Sequence, residues 1–281
     1  MTSGPALHRG NWRVELEYDG ARFCGWERQL NGLGVRQVVE DALFELLGER
    51  VTVEGSGRTD AGVHALSQTA SFHLLRPMPP RKLRLALNSF LPEDVAVVSC
   101  EPADPAFHAR YSATGKTYRY SIINGPVAKP LLRRNAFHYP LELDVARMAE
   151  AAAGLLGTHD FRAFAKEAWR RKNCVRTIHA ADVRSTVMDP ITRRIEVEIR
   201  GSGFLYNMVR IVAGTLIDVG VGRRPVSTFA DLIGDGRRMA AGFTVPPYGL
   251  CLVKVEYDGP PVPPELADDD GPDVESERAE I

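Results

Sequence analysis

One loop of the sequence combines a carboxylate, a guanidinium and three glycines within a short span. Residues 51–64 read VTVEGSGRTDAGVH, with Arg58 and Asp60 in the glycine-rich part that follows a β-branched run. Glycine permits positive φ angles and a close approach of the backbone to a ligand, so this composition suits a reactive side chain on a tight turn. Aspartate and glycine in a loop most often serve only as turn formers. The length of this loop, with Thr59 and His64 as polar neighbours, favours Asp60 as a catalytic carboxylate.

Two other glycine-rich motifs do not fit this loop. The GSGRTDAG run has glycines at P-loop spacing, but Val63-His64 follows where a P-loop requires lysine and then serine or threonine. The same run lacks the third glycine of a dinucleotide-binding fingerprint, and so does Gly201-Ser-Gly203. The sequence therefore indicates no nucleotide cradle of either kind.

Arg210 interrupts an apolar run that we predict to form a helix over residues 203–219. One interpretation is a surface arginine on an otherwise buried helix. The other is a buried guanidinium, which requires a carboxylate partner because an unpaired buried charge is very costly. Asp60 would gain from such a cation, which would hold its carboxylate ionised and oriented. Both interpretations stay open, and the pairing of Arg210 with Asp60 is a prediction.

Tyr118 and Tyr120 share one face of a strand predicted over residues 117–123. Tyrosines in strands are mostly packing residues. Beside a basic loop, however, one of them could stack on a nucleobase.

Charge is distributed unevenly along the 281 residues, whose formal net charge is −1. Residues 259–281 carry a net charge of −7, which leaves +6 on the rest of the chain. A basic body with interleaved aromatic residues favours an anionic partner such as a nucleic acid. The basic clusters are Arg133-Arg134, Arg170-Arg171-Lys172, Arg193-Arg194, Arg223-Arg224 and Arg237-Arg238.

The cysteines and histidines show no metal-binding spacing. The four cysteines contain no C-x-x-C pair, which argues against a zinc site or a disulfide framework and suits a reducing cytosol. The first residues contain no apolar run of the kind that forms a signal peptide. The most apolar window, 203–219, contains charged residues, so it is not predicted to span a membrane. These observations predict a soluble cytoplasmic protein without a metal or a membrane span.

Hydrophobic periodicity predicts two successive strand–helix–strand–strand halves in an α+β fold, each an antiparallel sheet covered by helices. We predict an N-terminal tail (1–11), two α+β domains (12–112 and 113–258) and a disordered acidic, proline-rich tail (259–281). The predicted strands are 12–18, 51–54, 66–74, 95–100, 117–123, 176–187, 191–200 and 250–257, and the predicted helices are 35–47, 81–90, 144–156, 203–219 and 227–233.

Several motifs together resemble those of the tRNA pseudouridine synthase A family. The run GSGRTDAGVHA, from Gly55 to Ala65, is similar to the family's signature and is highly specific. Further similar motifs follow in the family's order and span about residues 12 to 257. They are Tyr18-Asp-Gly20, Gly25-Trp26, Phe107-His-Ala-Arg110, Ser112-Ala113, Tyr118-Arg-Tyr120, Asn207-Met-Val-Arg210 and Gly249-Leu250.

The resemblance implies an isomerase that converts uridine to pseudouridine at positions 38, 39 and 40 of the tRNA anticodon stem-loop. It also implies a homodimer, no cofactor or metal, and the pseudouridine synthase fold, with the active site in a cleft between two ferredoxin-like halves. In this chain Asp60 would be the nucleophile, and Arg58 would aid extrusion of the base. Tyr118 would stack on the uracil, Arg210 would pair with Asp60, and Leu250 would pack against the base. The glycines would leave the loop mobile enough for Arg58 and Asp60 to approach a flipped uridine.

Glu27 and Arg36 depart from the family's pattern, which has glutamine at both places. Both lie outside the catalytic set, so the departures bear on RNA contacts rather than on the reaction. A different class of function is a non-catalytic RNA-binding or chaperone module, for which Asp60 would be dispensable. A zinc-dependent deaminase is disfavoured because the H-x-E and P-C-x-x-C motifs are missing.

Overall fold

The computed structural model describes residues 8–30, 32–165, 173–235 and 241–258. The predicted tail at 259–281 and the basic clusters at 170–172 and 237–238 lie outside the described residues. The strands are β1 (His8–Tyr18), β2 (Glu54–Gly55), β3 (His64–Met78), β4 (Val95–Pro102), β5 (Gly115–Asn124), β6 (Phe137–Tyr139), β7 (Gly157–Asp160), β8 (Val175–Asp189), β9 (Thr192–Gly201) and β10 (Leu250–Glu256). The helices are α1 (Val35–Leu47), α2 (Pro80–Phe90), α3 (Val145–Ala152), α4 (Met208–Gly220) and α5 (Thr228–Asp235). This mixture confirms the predicted α+β class.

The chain divides into two compact units, and the first comprises residues 8–114 together with 251–258. Its sheet has the strand order β4-β1-β3-β10. Strand β1 is antiparallel to both β3 and β4, whereas β10 runs parallel to β3. Alternate residues of β1, namely Trp12, Val14 and Leu16, are fully buried, as the period of two in a half-buried strand requires. The helices α1 and α2 pack against each other in this unit.

Helix α1 has the bounds that its apolar periodicity predicts. Its buried residues, Val35, Val39, Ala42, Leu43 and Leu47, form one stripe at spacings of three and four. The helix ends at Gly48, which adopts a left-handed conformation with φ of 72°. The position of α1 matters for the site because its first turn lies directly after the loop that contains Trp26 and Glu27.

The second unit comprises residues 115–250, and its sheet has the order β5-β9-β8-β7. Neighbouring strands in that order are antiparallel, and the short β6 lies parallel to β5. Helix α3 begins after Asp144, whose side chain accepts a hydrogen bond from Arg147 N at 3.0 Å, as the predicted N-cap requires. Every residue of α4 except Arg210 is buried. Helix α4 is therefore the core helix of this unit.

Several predicted boundaries differ from the observed ones. Helix α4 begins at Met208 rather than at 203, because Asn207 adopts a φ of 62°, which a right-handed helix does not accommodate. The predicted strand at 51–54 is reduced to the two residues of β2. Strand β1 begins at His8, within the predicted tail, and residues 251–258 belong to the first unit because β10 pairs with β3. Within the described ranges, no helix combines the length and the hydropathy needed to cross a bilayer.

Candidate active site

The loop that contains Asp60 is anchored by backbone hydrogen bonds on both sides of the carboxylate. On the N-terminal side, Trp26 N donates to Thr59 O at 3.0 Å. On the C-terminal side, Val63 N donates to Asp60 O at 3.1 Å, and Gly62 N donates to Phe23 O at 3.2 Å. The Asp60 side chain is half-buried and Arg58 is exposed. The loop therefore presents Asp60 from a fixed backbone.

Two buried polar side chains form hydrogen bonds that hold the same loop. Ser56 and Gln68 are fully buried, and Ser56 Oγ donates to Gln68 Oε1 at 2.5 Å. Gln68 Nε2 then donates to Gly57 O at 2.8 Å. Buried polar groups must be hydrogen-bonded to be tolerated, so this pair ties the loop to β3. It fixes the chain just before Arg58.

A tyrosine at the end of β1 holds the residue next to Asp60. The hydroxyl groups of Tyr18 and Thr59 are 2.8 Å apart and buried. Burial raises the pKa of the Tyr18 phenol well above its ordinary value, so the hydroxyl stays protonated and keeps this hydrogen bond. Thr59 is thus bound through both its side chain and its backbone oxygen.

Two glycines in and beside the loop, Gly55 and Gly25, are required by close packing, and the mobility expected of the loop stays a prediction. A Cβ on Gly25, where φ is 99°, would lie 2.4 Å from Thr59 O. A Cβ on Gly55 would lie 2.4 Å from the Trp26 ring. Such distances exclude any side chain, so these glycines let neighbouring segments approach the Asp60 loop. This packing requirement comes from segments that are distant in the sequence, so the glycine content alone does not reveal it.

We expect Gly25→Ala to destabilise the first unit more than an ordinary glycine substitution does. The new methyl group would meet the backbone at Thr59 and adopt an unfavourable φ, which together should lower the free energy of unfolding by about 2–3 kcal/mol. Gly48→Ala is the matched control, because its φ of 72° is also positive but nothing lies within 4 Å of the added Cβ. That control should lose about 1 kcal/mol. Urea unfolding measures both values, and equal losses would contradict the packing argument.

The remaining predicted site residues lie in the second unit. Tyr118 is on β5, is buried, and packs edge-on against Phe204 with ring centroids 5.2 Å apart. Leu250 is buried at the start of β10. Tyr120, the other tyrosine of the motif, donates its hydroxyl hydrogen bond to Pro246 O at 2.9 Å, which gives it a structural role.

Arg210 lies in the first turn of α4, not in the middle of a helix as the apolar run suggested. Its Nε donates to Val245 O at 2.8 Å, and its Nη1 donates to Asn207 Oδ1 at 2.5 Å. The side chain is half-buried. The two hydrogen bonds orient the guanidinium of Arg210, which is the only residue of α4 that is not buried. Such a restrained cation suits the recognition of a carboxylate.

The predicted site residues thus fall into two groups. Arg58 and Asp60 belong to one loop of the first unit, and Tyr118, Arg210 and Leu250 belong to the second unit. The pairing of Arg210 with Asp60 joins residues of different units and stays a prediction. The same holds for the contacts of Tyr118 and Leu250 with a base.

Sequence reasoning missed the residues that hold the Asp60 loop. Tyr18 ends a regular strand, where the sequence gives no sign that its hydroxyl group contacts Thr59. Gln68 is a polar residue in the strand that becomes β3, where it is fully buried. An amide at a core position signals a required hydrogen bond, and this signal was available in the sequence.

Acidic neighbours partly neutralise two of the basic clusters that the structure describes, Arg193-Arg194 and Arg223-Arg224. Arg193 lies 3.3 Å from Glu142, and Arg223 and Arg224 share Asp218 at 3.4 and 3.2 Å. Pairing of this kind reduces the charge that a cluster offers to an RNA phosphate.

Comparison with known proteins identifies the family. The model of a family described as tRNA pseudouridine synthase matches residues 16–112 and 151–258. The chain is 44% identical to a tRNA pseudouridine synthase A from Syntrophotalea carbinolica over 245 residues, which cover 87% of this chain and 95% of that protein. It is 40% identical to a protein of the same name from Thermoanaerobacter sp. over 247 residues, which cover 88% and 99%. A third, from Citrifermentans bemidjiense, is 42% identical over 248 residues, with coverage of 88% and 97%. Matches of this extent place the chain in the tRNA pseudouridine synthase family.

Proposed function

We propose that this protein is an isomerase that converts uridine to pseudouridine in tRNA, with Asp60 as the nucleophile. The observation that carries the proposal is the anchored Asp60 loop, which lies within the first segment matched by the family model. The reaction breaks the bond between the ribose C1′ and N1 of uracil and forms a bond from C1′ to C5. The proton leaves C5, and N1 gains one, so the change is redox-neutral and needs no electron acceptor.

Asp60 can serve this reaction because a carboxylate is able to form a covalent intermediate. It either attacks the base or acts at the sugar by assisting cleavage of the glycosidic bond. Both routes require the carboxylate to reach the nucleoside from a defined position. The hydrogen bonds to Thr59 O and Asp60 O, on either side of the reactive side chain, supply that position.

Arg58 is the residue that aids extrusion of the base. A uridine within a stem is reached only after flipping, which costs a few kcal/mol on the general scale for this process. Arg58 is exposed two residues before Asp60, so its guanidinium can occupy the space that the base vacates. In the second unit, Tyr118 stacks on the uracil and Leu250 packs against it, which retains the detached base until C5 has rotated into place.

The proposed substrate sites are uridines 38, 39 and 40 of the anticodon stem-loop. We further propose that the enzyme acts as a homodimer in the cytoplasm, without a cofactor or a metal. The net charge of +6 on residues 1–258 supports attraction of an RNA backbone. A non-catalytic RNA-binding module is the alternative; the same charge is compatible with it, but the family match does not favour it.

Tritium release decides between these candidates. The purified protein is incubated with tRNA transcripts that contain [5-³H]uridine only at positions 38–40, and with a control transcript that contains cytidine there. We expect one tritium released per modified uridine, unchanged by excess EDTA, and no pseudouridine in the control transcript. Binding without tritium release would contradict the enzymatic proposal and favour the RNA-binding module. Loss of release with EDTA would contradict the metal-free mechanism alone.

A further inference from the structure

The carboxylate of Glu27 bridges the catalytic loop and helix α1. Its Oε1 lies 3.6 Å from Nε of Arg58, and its Oε2 accepts a hydrogen bond from Nη1 of Arg36 at 3.1 Å. One oxygen therefore contacts the exposed arginine beside Asp60, and the other contacts the second residue of α1. All of these residues belong to the first unit.

The backbone around Glu27 is held between the same two elements. Trp26 N donates to Thr59 O at 3.0 Å, and Arg36 N donates to Trp26 O at 2.9 Å. Gly34 packs so closely that a Cβ there would lie 2.1 Å from Glu27 O. The origin of the Glu27 side chain is thus fixed relative to both of its arginine partners.

Arg36 is in turn restrained by two further carboxylates. Its Nε donates to Glu40 Oε1 at 2.9 Å across one helical turn, and its Nη2 lies 3.6 Å from Glu54. Only 21% of the Arg36 side chain is exposed. Burial alone would lower the pKa of the Arg36 guanidinium, but the hydrogen bond to Glu40 and the charges of Glu27, Glu40 and Glu54 outweigh burial and raise the pKa. Arg36 therefore remains a cation with a set orientation.

We propose that Glu27 is a positioning residue for Arg58, and that Arg36 holds the Glu27 carboxylate in place for this task. The inference rests on the proposed role of Arg58 in base extrusion. A long arginine side chain loses much rotamer entropy when it must adopt one conformation, and a partner at Nε restrains it before the substrate arrives. The Arg58 side chain is 36% exposed and the Glu27 side chain 27% exposed, so Glu27 orients Arg58 without burying the charge of the guanidinium. Glutamate and arginine thus replace the two glutamines of the family pattern as a matched pair.

The test compares Glu27→Ala, which removes the acceptor, with Glu27→Gln, which keeps an oxygen at the same reach. Single-turnover tritium release should fall about tenfold for Glu27→Ala, with tRNA affinity changed less than twofold. Glu27→Gln should recover the rate to within about threefold of the native protein. Arg36→Gln should lower the rate about threefold, because Glu27 then loses its second contact. Glu45→Gln, an exposed glutamate on α1, is the control and should leave the rate unchanged.

Two readouts separate positioning from a general structural effect. In an Arg58→Ala background, Glu27→Ala should change the residual rate less than twofold. In arginine side-chain ¹H–¹⁵N spectra, the Arg58 Nε–H signal, assigned by its loss in Arg58→Ala, should shift in Glu27→Ala but not in Glu45→Gln. A native rate in Glu27→Ala, or an undiminished effect in the Arg58→Ala background, would overturn the inference. If Arg58→Ala alone is fully active, the proposed role of Arg58 fails and the inference fails with it. The proposed reaction is then still tested separately, by tritium release in the Asp60→Asn variant.

Discussion

Replacing Asp60 with asparagine is expected to lower the rate of pseudouridine formation by at least about 10⁴-fold, the scale on which loss of a nucleophile reduces catalysis. Asparagine has the same shape, but its amide is a poor nucleophile and carries no charge. The loop should keep its conformation, because its anchors use the backbone of Thr59, Asp60 and Gly62 and the side chains of Tyr18 and Gln68. The measurement is tritium release under single-turnover conditions.

Binding of tRNA is the control for the asparagine variant. Removing one negative charge should leave the affinity unchanged or slightly increased, since the partner is a polyanion. Asp182→Asn is the matched substitution, because Asp182 is an exposed aspartate on β8 that lies 3.8 Å from the exposed Arg184. It should retain the native rate. Tritium release that survives Asp60→Asn would disprove the nucleophile assignment, and loss of release with intact binding would exclude the RNA-binding module.

The α+β class and most element positions are predictable from the sequence, because they depend on local periodicity. Helix α1 has the predicted bounds because its apolar stripe and its terminal Gly48 both lie within the segment itself. Strand β10 was found in the sequence, but its parallel pairing with β3 was not, because pairing depends on distant residues. The grouping of residues 251–258 with the first unit follows from that pairing and from contacts of Tyr257 with Ala109 and Arg13.

The Asp60 loop was identifiable because its residue types are unusual together, whereas its close packing against distant segments was not. Gly25 and Gly55 look like sources of flexibility in a sequence, but each is needed where Thr59 O or the Trp26 ring approaches closely. Close approaches between distant segments leave no periodic signal. The predicted start of helix α4 was wrong for a related reason. The apolar run extends from residue 203, and only the left-handed Asn207 determines that the helix begins at Met208.

Glu27 shows the same limit of sequence reasoning. As a departure from the family pattern it could be noticed, but its effect could not be derived without the two distances to Arg58 and Arg36. A substitution of glutamine by glutamate introduces a charge, and the sign of its effect depends on which cations lie nearby. The second departure supplies one of those cations, which a reading of each position by itself does not reveal.

Replacing Arg210 with methionine is expected to reduce the rate at least about 10²-fold, on the scale seen when one preorganised electrostatic partner is removed. The prediction follows from the proposed pairing with Asp60, in which the guanidinium keeps the carboxylate ionised and aimed. Methionine retains much of the apolar length of the side chain. It forfeits the hydrogen bonds to Val245 O and Asn207 Oδ1, so about 1–2 kcal/mol of stability should be lost, and the protein should remain folded.

The conservative variant and a distant arginine distinguish pairing from a general loss of charge. Arg210→Lys keeps the cation but not the planar donor arrangement, so its rate should lie between those of the native protein and Arg210→Met. Arg184→Met removes a cation from β8 whose side chain is 74% exposed, and it should lower the rate less than twofold. A native rate in Arg210→Met would contradict the pairing. An equal loss of rate in Arg184→Met would show that the effect of Arg210→Met comes from net charge, and not from a dedicated partner of the Asp60 carboxylate.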